Sequence, residues 1–230
     1  MEEPDQTPRS GADGRSTRWE AHRARRRGEI LDAALAAIDE EGPEVGVRRI
    51  AERIGAPRSA VYRHFRDRAD LDGRIRRRAL DSLLAELGPT LEPDGTVLCA
   101  IRRSVDAYLG WIAAHPQRYA FLSAGEHGGR SPDTEGTKAV IAHRAGTVFK
   151  AVLRALGKDD AGLAVPLASG LVGFVDATVD NWLAGRPDTA ASAPLAEFLT
   201  RSVWAVLDGN LRALGVQLAP DQRVSALLGD

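Results

Sequence analysis

The sequence predicts an all-α protein, and three observations point that way. Apolar residues recur at three- and four-residue intervals along most of the chain, no apolar–polar alternation lasts long enough for a strand, and Gly or Pro falls between the periodic stretches. Residues 1–17, rich in Pro, Gly, Ser, Thr and charge, are expected to form a disordered arm. Beyond them Ile30, Leu31, Ala34, Leu35 and Ile38 share one face of a first helix, which Gly42 should end. A short helix follows at Val47–Ile54, with Ile50, Ala51 and Ile54 inward and Gly55 closing it. The next is expected at Arg58–Phe65, where Val61 and Phe65 make a buried i, i+4 pair. Asp67 can cap a fourth helix whose inward face is Leu71, Ile75, Ala79, Leu83 and Leu87.

Pro89–Gly95 breaks the pattern. A helix over Thr96–Ala114 aligns Ile101, Val105, Tyr108 and Ile112 and is stopped by His115-Pro116. A short piece at Gln117–Ser123 precedes the most loop-like stretch, Gly125–Thr137. Helices are then expected at Lys138–Leu156, Ala161–Ala184 and Ala193–Leu214, with Gly185–Ser192 as a linker.

Composition narrows the class. Apolar and charged fractions of 43% and 27% are those of a packed globular chain. The single cysteine, Cys99, excludes a disulfide framework and a zinc-finger ligand set; between Leu98 and Ile101 it is expected to be a buried thiol. No run approaches the ~20 apolar residues of a membrane span. The first residues lack the apolar stretch of a signal peptide, so no membrane association and a cytoplasmic location are expected. Charge is uneven. Arg15–Leu80 carries 17 Arg against 11 Asp plus Glu, whereas residues 81–230 carry 13 Lys plus Arg against 17 acids. A basic front and a mildly acidic rear suit a chain whose front meets a polyanion.

The informative segment is Val47–Phe65, VRRIAERIGAPRSAVYRHF. Two short helices flank a Gly turn. With Val61 and Phe65 inward, Arg58, Ser59, Tyr62 and Arg63 share a neighbouring polar face. Guanidinium, hydroxyl and phenol groups on a helix suit phosphate oxygens and base edges in a major groove.

From Arg25 to Leu71 the sequence resembles the TetR (tetracycline-repressor) family. The residues that carry the likeness are Gly42, Ile50-Ala51, Gly55, Tyr62-Arg63-His64-Phe65, Arg68 and Leu71. The resemblance implies an N-terminal three-helix bundle with a helix-turn-helix, followed by a larger helical domain for ligand binding and dimerisation. Its expected boundaries are 18–70 for the DNA-binding part and 71–216 for the second, with 71–87 connecting them and 217–230 a tail. It implies that Arg58, Ser59 and Ala60 lie nearest base edges of a double-stranded DNA operator. Tyr62, Arg63, His64 and Arg68 would hold phosphates, and Arg48 joins the DNA-binding set. Gly46 stands where the family usually has Ser or Thr, Pro57 replaces a common Ser, and Arg68 replaces a Lys.

In the rear part, Ala161–Ala184 carries two apolar stripes. Leu167, Leu171, Phe174, Thr178 and Trp182 form one, and Val165, Val172, Val179 and Leu183 the other. A second stripe asks for a second partner, either a helix of the same chain or another copy. The resemblance implies a homodimer built with the last helix, so Val165, Val172, Val179, Leu183, Phe198, Val203 and Val206 are its expected interface. Tyr108, Trp111, Tyr119, Phe121, His143, Phe149, Phe174 and Trp182 are candidates to line a pocket for an organic small-molecule effector. Asp176 and Asp180, one turn apart, suit a cationic ligand or, preferred here, an Arg pair across a dimer.

The expected function is a sequence-specific transcriptional regulator, a repressor released from a palindromic operator by its ligand. A ligand-independent DNA binder and a helical enzyme are the alternatives. Scattered histidines and GEHGGR at Gly125–Arg130, which lacks the Lys-Ser/Thr ending of a phosphate loop, offer no catalytic, metal or cofactor site.

Overall fold

The computed structural model describes residues 13–91, 94–127, 132–159, 162–185 and 193–223. Among them the regular structure is helical, with one isolated antiparallel bridge between Thr96 and Arg223. Two compact units divide between Ile75 and Arg76.

The first unit contains α1 (Asp13–Glu41), α2 (Val47–Arg53), α3 (Arg58–Tyr62) and the start of α4 (Arg68–Leu87). Its core is the set the periodicity selects: Ile30, Ala34, Ile38, Ile50, Ala51, Val61, Phe65, Leu71 and Ile75 are at most 2% exposed. Each large side chain so buried contributes roughly 1.5–3 kcal/mol. Gly42, at φ 97°, turns the chain out of α1, and its N–H donates to the Ile38 carbonyl at 2.8 Å. Gly55 does the same after α2 at φ 63°. Both need a left-handed backbone that a Cβ disfavours. The Asp67 carboxylate accepts from the Asp70 N–H at 2.8 Å, and the Asp70 carboxylate accepts from the Arg66 N–H at 3.0 Å, which fixes the start of α4.

Two boundaries differ from expectation. α1 begins at Asp13, so residues 13–17 are helical rather than part of an arm, while residues 1–12 lie outside the described residues. A helix already nucleated by core packing propagates at little cost through the Ala-, Arg- and Glu-rich sequence before Ile30. α3 ends at Tyr62, not Phe65: the His64 N–H closes onto the Val61 carbonyl at 2.9 Å in a tight i→i+3 turn.

The second unit holds the rest of α4, a 3-10 turn at Gly88–Leu91, α5 (Val97–Ala114), α6 (Pro116–His127), α7 (Pro132–Ala155), α8 (Ala164–Gly185) and α9 (Ala193–Ala213). Much of the expected loop Gly125–Thr137 is thus helical. Turn-rich composition concealed that Pro132 can open a helix, where its missing N–H is no loss. α7 and α8 cross where Gly146 faces the α8 backbone: a Cβ at 146 would lie 2.9 Å from Val165 Cα. Gly215 (φ 72°) ends α9 in a Schellman turn, with Val216 N–H on the Leu211 carbonyl and Gly215 N–H on the Arg212 carbonyl, each at 2.9 Å.

The chain after that turn is more than a tail as far as Arg223. Val216 and Leu218 pack with Leu153 and Leu211, and the Val97 and Leu98 N–H groups donate to the Gln222 and Pro220 carbonyls at 3.2 Å each. Two of the open donors at the start of α5 are satisfied that way. Thr96 caps the same end through its hydroxyl, 3.2 Å from the Cys99 N. Cys99 itself is exposed, contrary to the expected buried thiol, because the inward side of α5 is set by Val105, Leu109 and Ile112. Among the described residues no helix is long and apolar enough to cross a membrane.

Candidate nucleic-acid interface and ligand cavity

Val61 and Phe65 anchor α3 and the turn after it, and this sets what faces outward. Arg58, Ser59 and Arg63 are exposed, Ala60, Tyr62 and His64 half-buried. Arg58 lies over the Tyr62 ring, 5.5 Å from its centroid, with Nη2 3.4 Å from the phenol oxygen. The pair presents one planar cation and one hydroxyl from adjacent turns, a combination that binds phosphate or a base edge. Neither Arg58 nor Arg63 has a carboxylate partner among the described residues. His64 Nδ1 is buried without a partner, and burial, followed by the positive field of Arg23, Arg26, Arg63 and Arg27, holds its pKa below the usual 6.5. The imidazole is therefore neutral at pH 7.

Two residues expected beside DNA are engaged within the protein. Arg48 is exposed on α2 and donates to Glu52 at 2.8 Å. Arg68 donates through Nε to Asp72 at 2.8 Å and through Nη2 to the Val45 carbonyl at 3.0 Å, tying α4 to the turn before α2. Arg48–Glu52 and Arg68–Asp72 are i, i+4 pairs that helix spacing allows, whereas the Arg68–Val45 bond depends on where the turn at Val45 returns.

The second unit encloses a cavity of about 340 Å³, within the size range of small-molecule sites. Its wall is mostly aliphatic, from Leu83 and Leu87 of α4 to Val148 and Val152 of α7 and Leu167 and Leu171 of α8. Of the residues expected to line it, Tyr108, Trp111, Tyr119 and Phe149 do. Phe121 is buried beneath the Arg76 guanidinium, 5.1 Å from its ring, away from the cavity. His143 is exposed on α7. Phe174 and Trp182 line a shallow outer groove with Phe198 instead.

One end of the cavity is polar. Tyr108 donates to the Asp176 carboxylate at 2.9 Å, and Tyr119 donates to Asp180 at 2.6 Å. Burial first, then the neighbouring carboxylates, keep both phenols protonated far above their usual range. Their hydrogens are committed to carboxylates, so the phenols present oxygen lone pairs at this end. Among the described wall residues there is no Lys, Arg or His. Asp176 and Asp180, expected to meet a cationic ligand or an Arg across a dimer, accept inward bonds from these phenols. Thr90 and Ser104 form a second polar spot, with hydroxyl oxygens 2.9 Å apart.

Neither stripe of α8 keeps to one side: Leu167 and Leu171 of the first line the cavity, and Val165 of the second is 37% exposed. Val179 is fully buried within the unit, Val172 lines the cavity and Leu183 is half-buried, whereas Phe174 faces out. Small Ala164 and Ala168 let α8 close on α7 at Gly146, and that contact sets which residues of each stripe turn inward. On α9, Val203 lines the cavity, while Phe198 and Val206 are each 42% exposed. With Val165 and Phe174 they leave large apolar side chains on the outer faces of α8 and α9, the Phe174 and Phe198 rings 6.3 Å apart.

A helix-turn-helix with an outward cationic face, joined to a cavity-bearing helical unit, defines a DNA-binding regulator. Comparison with known proteins agrees. Residues 30–72 match the family model for bacterial regulatory proteins of the tetR family, and residues 101–210 match a tetracyclin repressor-like C-terminal domain. HTH-type transcriptional regulators from two strains of Mycobacterium tuberculosis are 28% identical over 204 residues, covering 88% of this chain and 86% of theirs. A tetR-family regulator from Streptomyces coelicolor has the same fold, with a TM-score of 0.62, 20% identity and coverage of 89% of this chain and 87% of that one. So does SmeT, the repressor of the Stenotrophomonas maltophilia multidrug efflux pump SmeDEF, at TM-score 0.55, 21% identity and coverage of 89% and 96%. The chain belongs to the TetR family of DNA-binding transcriptional regulators.

Proposed function

We propose that the chain is a cytoplasmic homodimeric repressor that leaves a two-fold symmetric operator when an organic effector fills the cavity of the second unit. The observation that carries this is α3 with the residue after it: Arg58, Ser59 and Arg63 are exposed beside half-buried Tyr62, and the two arginines have no carboxylate partner among the described residues. Residues 18–70 would bind DNA and 71–216 would bind effector and dimerise. Two recognition helices about 34 Å apart read successive major grooves. The effector is mainly apolar, with a hydrogen-bond donor directed at the Tyr108 oxygen, whose own hydrogen is given to Asp176. A coupling of only ~1.4 kcal/mol between the sites changes DNA affinity tenfold.

The test is titration of the purified protein against DNA flanking its own reading frame and against sites selected from random sequence. Wild type should protect a symmetric site. Arg58→Ala, at a base-reading position, should lose about 1–3 kcal/mol and relax the sequence preference. Enrichment of no sequence over an Arg58→Ala/Tyr62→Ala double variant would end the operator reading.

A further inference from the structure

The arginines of the first unit sort into two groups. Between Trp19 and Ile75, Arg25 and Arg26 lie within 4 Å of Glu29, Arg48 and Arg49 of Glu52, Arg53 of Glu40, Arg66 and Arg74 of Asp70, and Arg68 of Asp72. Arg49 also engages Glu41. Arg23, Arg27, Arg58 and Arg63 remain, with no carboxylate within that distance among the described residues. Two of these four belong to the recognition segment. The other two lie on α1 before residue 30, where the match to the family's DNA-binding model begins.

Their place on α1 is set by the helix period. Arg23, Arg27, Ile30, Ala34 and Ile38 follow one another at three- or four-residue steps, so the stripe that is buried from Ile30 onward becomes cationic toward the N-terminus. Arg27 is half-buried and Arg23 exposed, its guanidinium 4.5 Å from the centroid of Trp19. Arg23, Arg26, Arg63 and Arg27 all lie within electrostatic reach of the His64 imidazole at the end of the recognition segment. Backbone phosphates would supply the charge-assisted partners that the guanidinium groups of Arg23, Arg27, Arg58 and Arg63 do not find among the carboxylates of the described residues.

We infer that Arg23 and Arg27 form a second DNA-contacting element, gripping backbone phosphates beside the half-site that α3 reads. The inference rests on the operator reading above. It assigns Arg23 and Arg27 a role in affinity, register and salt dependence, not in base choice.

The full-length chain, Arg23→Gln/Arg27→Gln, and Arg23→Lys/Arg27→Lys are compared on the operator selected by wild type, with Kd measured from low to high KCl. For the Gln pair the slope of log affinity against log salt should be shallower by ~0.9 for each phosphate no longer neutralised, about 1.8 per protomer. The protected sequence should be unchanged, non-specific DNA should weaken by the same factor, and the Lys pair should restore most of the slope. An unchanged slope in the Gln pair, with wild type still protecting its site, overturns the inference and leaves the operator reading intact. Equal loss in the Gln and Lys pairs also overturns it, since geometry rather than phosphate charge would then matter. Failure of wild type to select any operator removes the reading beneath it instead.

Discussion

The imidazole of His64 shows how one side chain can record both the packing of the first unit and its charge. Burial penalises the protonated ring, and Arg23, Arg26, Arg63 and Arg27 add to that penalty, so the folded state binds the proton less readily than the unfolded chain. The sign of the linkage follows. Stability from this group is fully present above the usual pKa of 6.5 and is lost as pH falls through 6.5 toward the lower folded value. Thermal unfolding of wild type between pH 7.5 and 5.5 should show a falling midpoint, and His64→Gln should flatten that decline. A His64→Gln profile parallel to wild type would remove His64 as the cause. Arg68 makes a complementary point at the same scale. A cation expected to hold phosphate is bonded to Asp72 and the Val45 carbonyl, so exposure of charge in sequence does not tell which charges remain available.

Among the elements, α7 and α8 depend on a single missing side chain. Gly146 is buried, and a methyl group there would press on Val165 Cα and on the Ala164 carbonyl, which are backbone and cannot swing aside. Ala gains up to ~1 kcal/mol over Gly inside a helix, whereas forced overpacking costs about 1–3 kcal/mol. Gly146→Ala should therefore destabilise the chain in denaturant titrations despite its better helix propensity. A variant as stable as wild type would mean that α8 moves away from α7 freely. The same crossing turns Val172 and Val179 inward, which a stripe count alone assigns to the wrong side. α5 depends on a remote segment in a similar way, with Gln222 and Pro220 supplying carbonyls to its first turn.

For the whole molecule, the outward apolar side chains of α8 and α9 and the cationic face of α3 serve one proposed assembly. Phe198 is 42% exposed and absent from the cavity wall, so Phe198→Glu should leave the fold and the thermal midpoint nearly unchanged. At micromolar concentration it should sediment as a monomer. Operator affinity should fall at least tenfold, since two half-sites are no longer held by linked readers. A dimer that survives Phe198→Glu would place the seam elsewhere.

The helix-turn-helix was legible in sequence because its determinants are local. Gly42 and Gly55 sit at positive φ, Asp67 caps α4, and Val61 with Phe65 decides which face of α3 is left for Arg58, Ser59, Tyr62 and Arg63. The second unit was legible only as a set of helices. Periodicity states the angle between the two stripes of α8 but not which neighbour each one meets, and that choice was made at Gly146 and by the cavity. The inward bonds of Tyr108 to Asp176 and Tyr119 to Asp180 join residues more than sixty positions apart. The charge map divides along the same line. Arg25 and Glu29 pair within one helical turn and can be anticipated, while Arg53 meets Glu40 across thirteen residues. Sequence by itself determined most of the helices and the outward polar face of α3, through short-range sterics and periodic burial. Which residues of α8 turned inward, which carboxylates met which phenols and which arginines were left unpaired were decided by tertiary structure, because each depends on groups that only folding brings together.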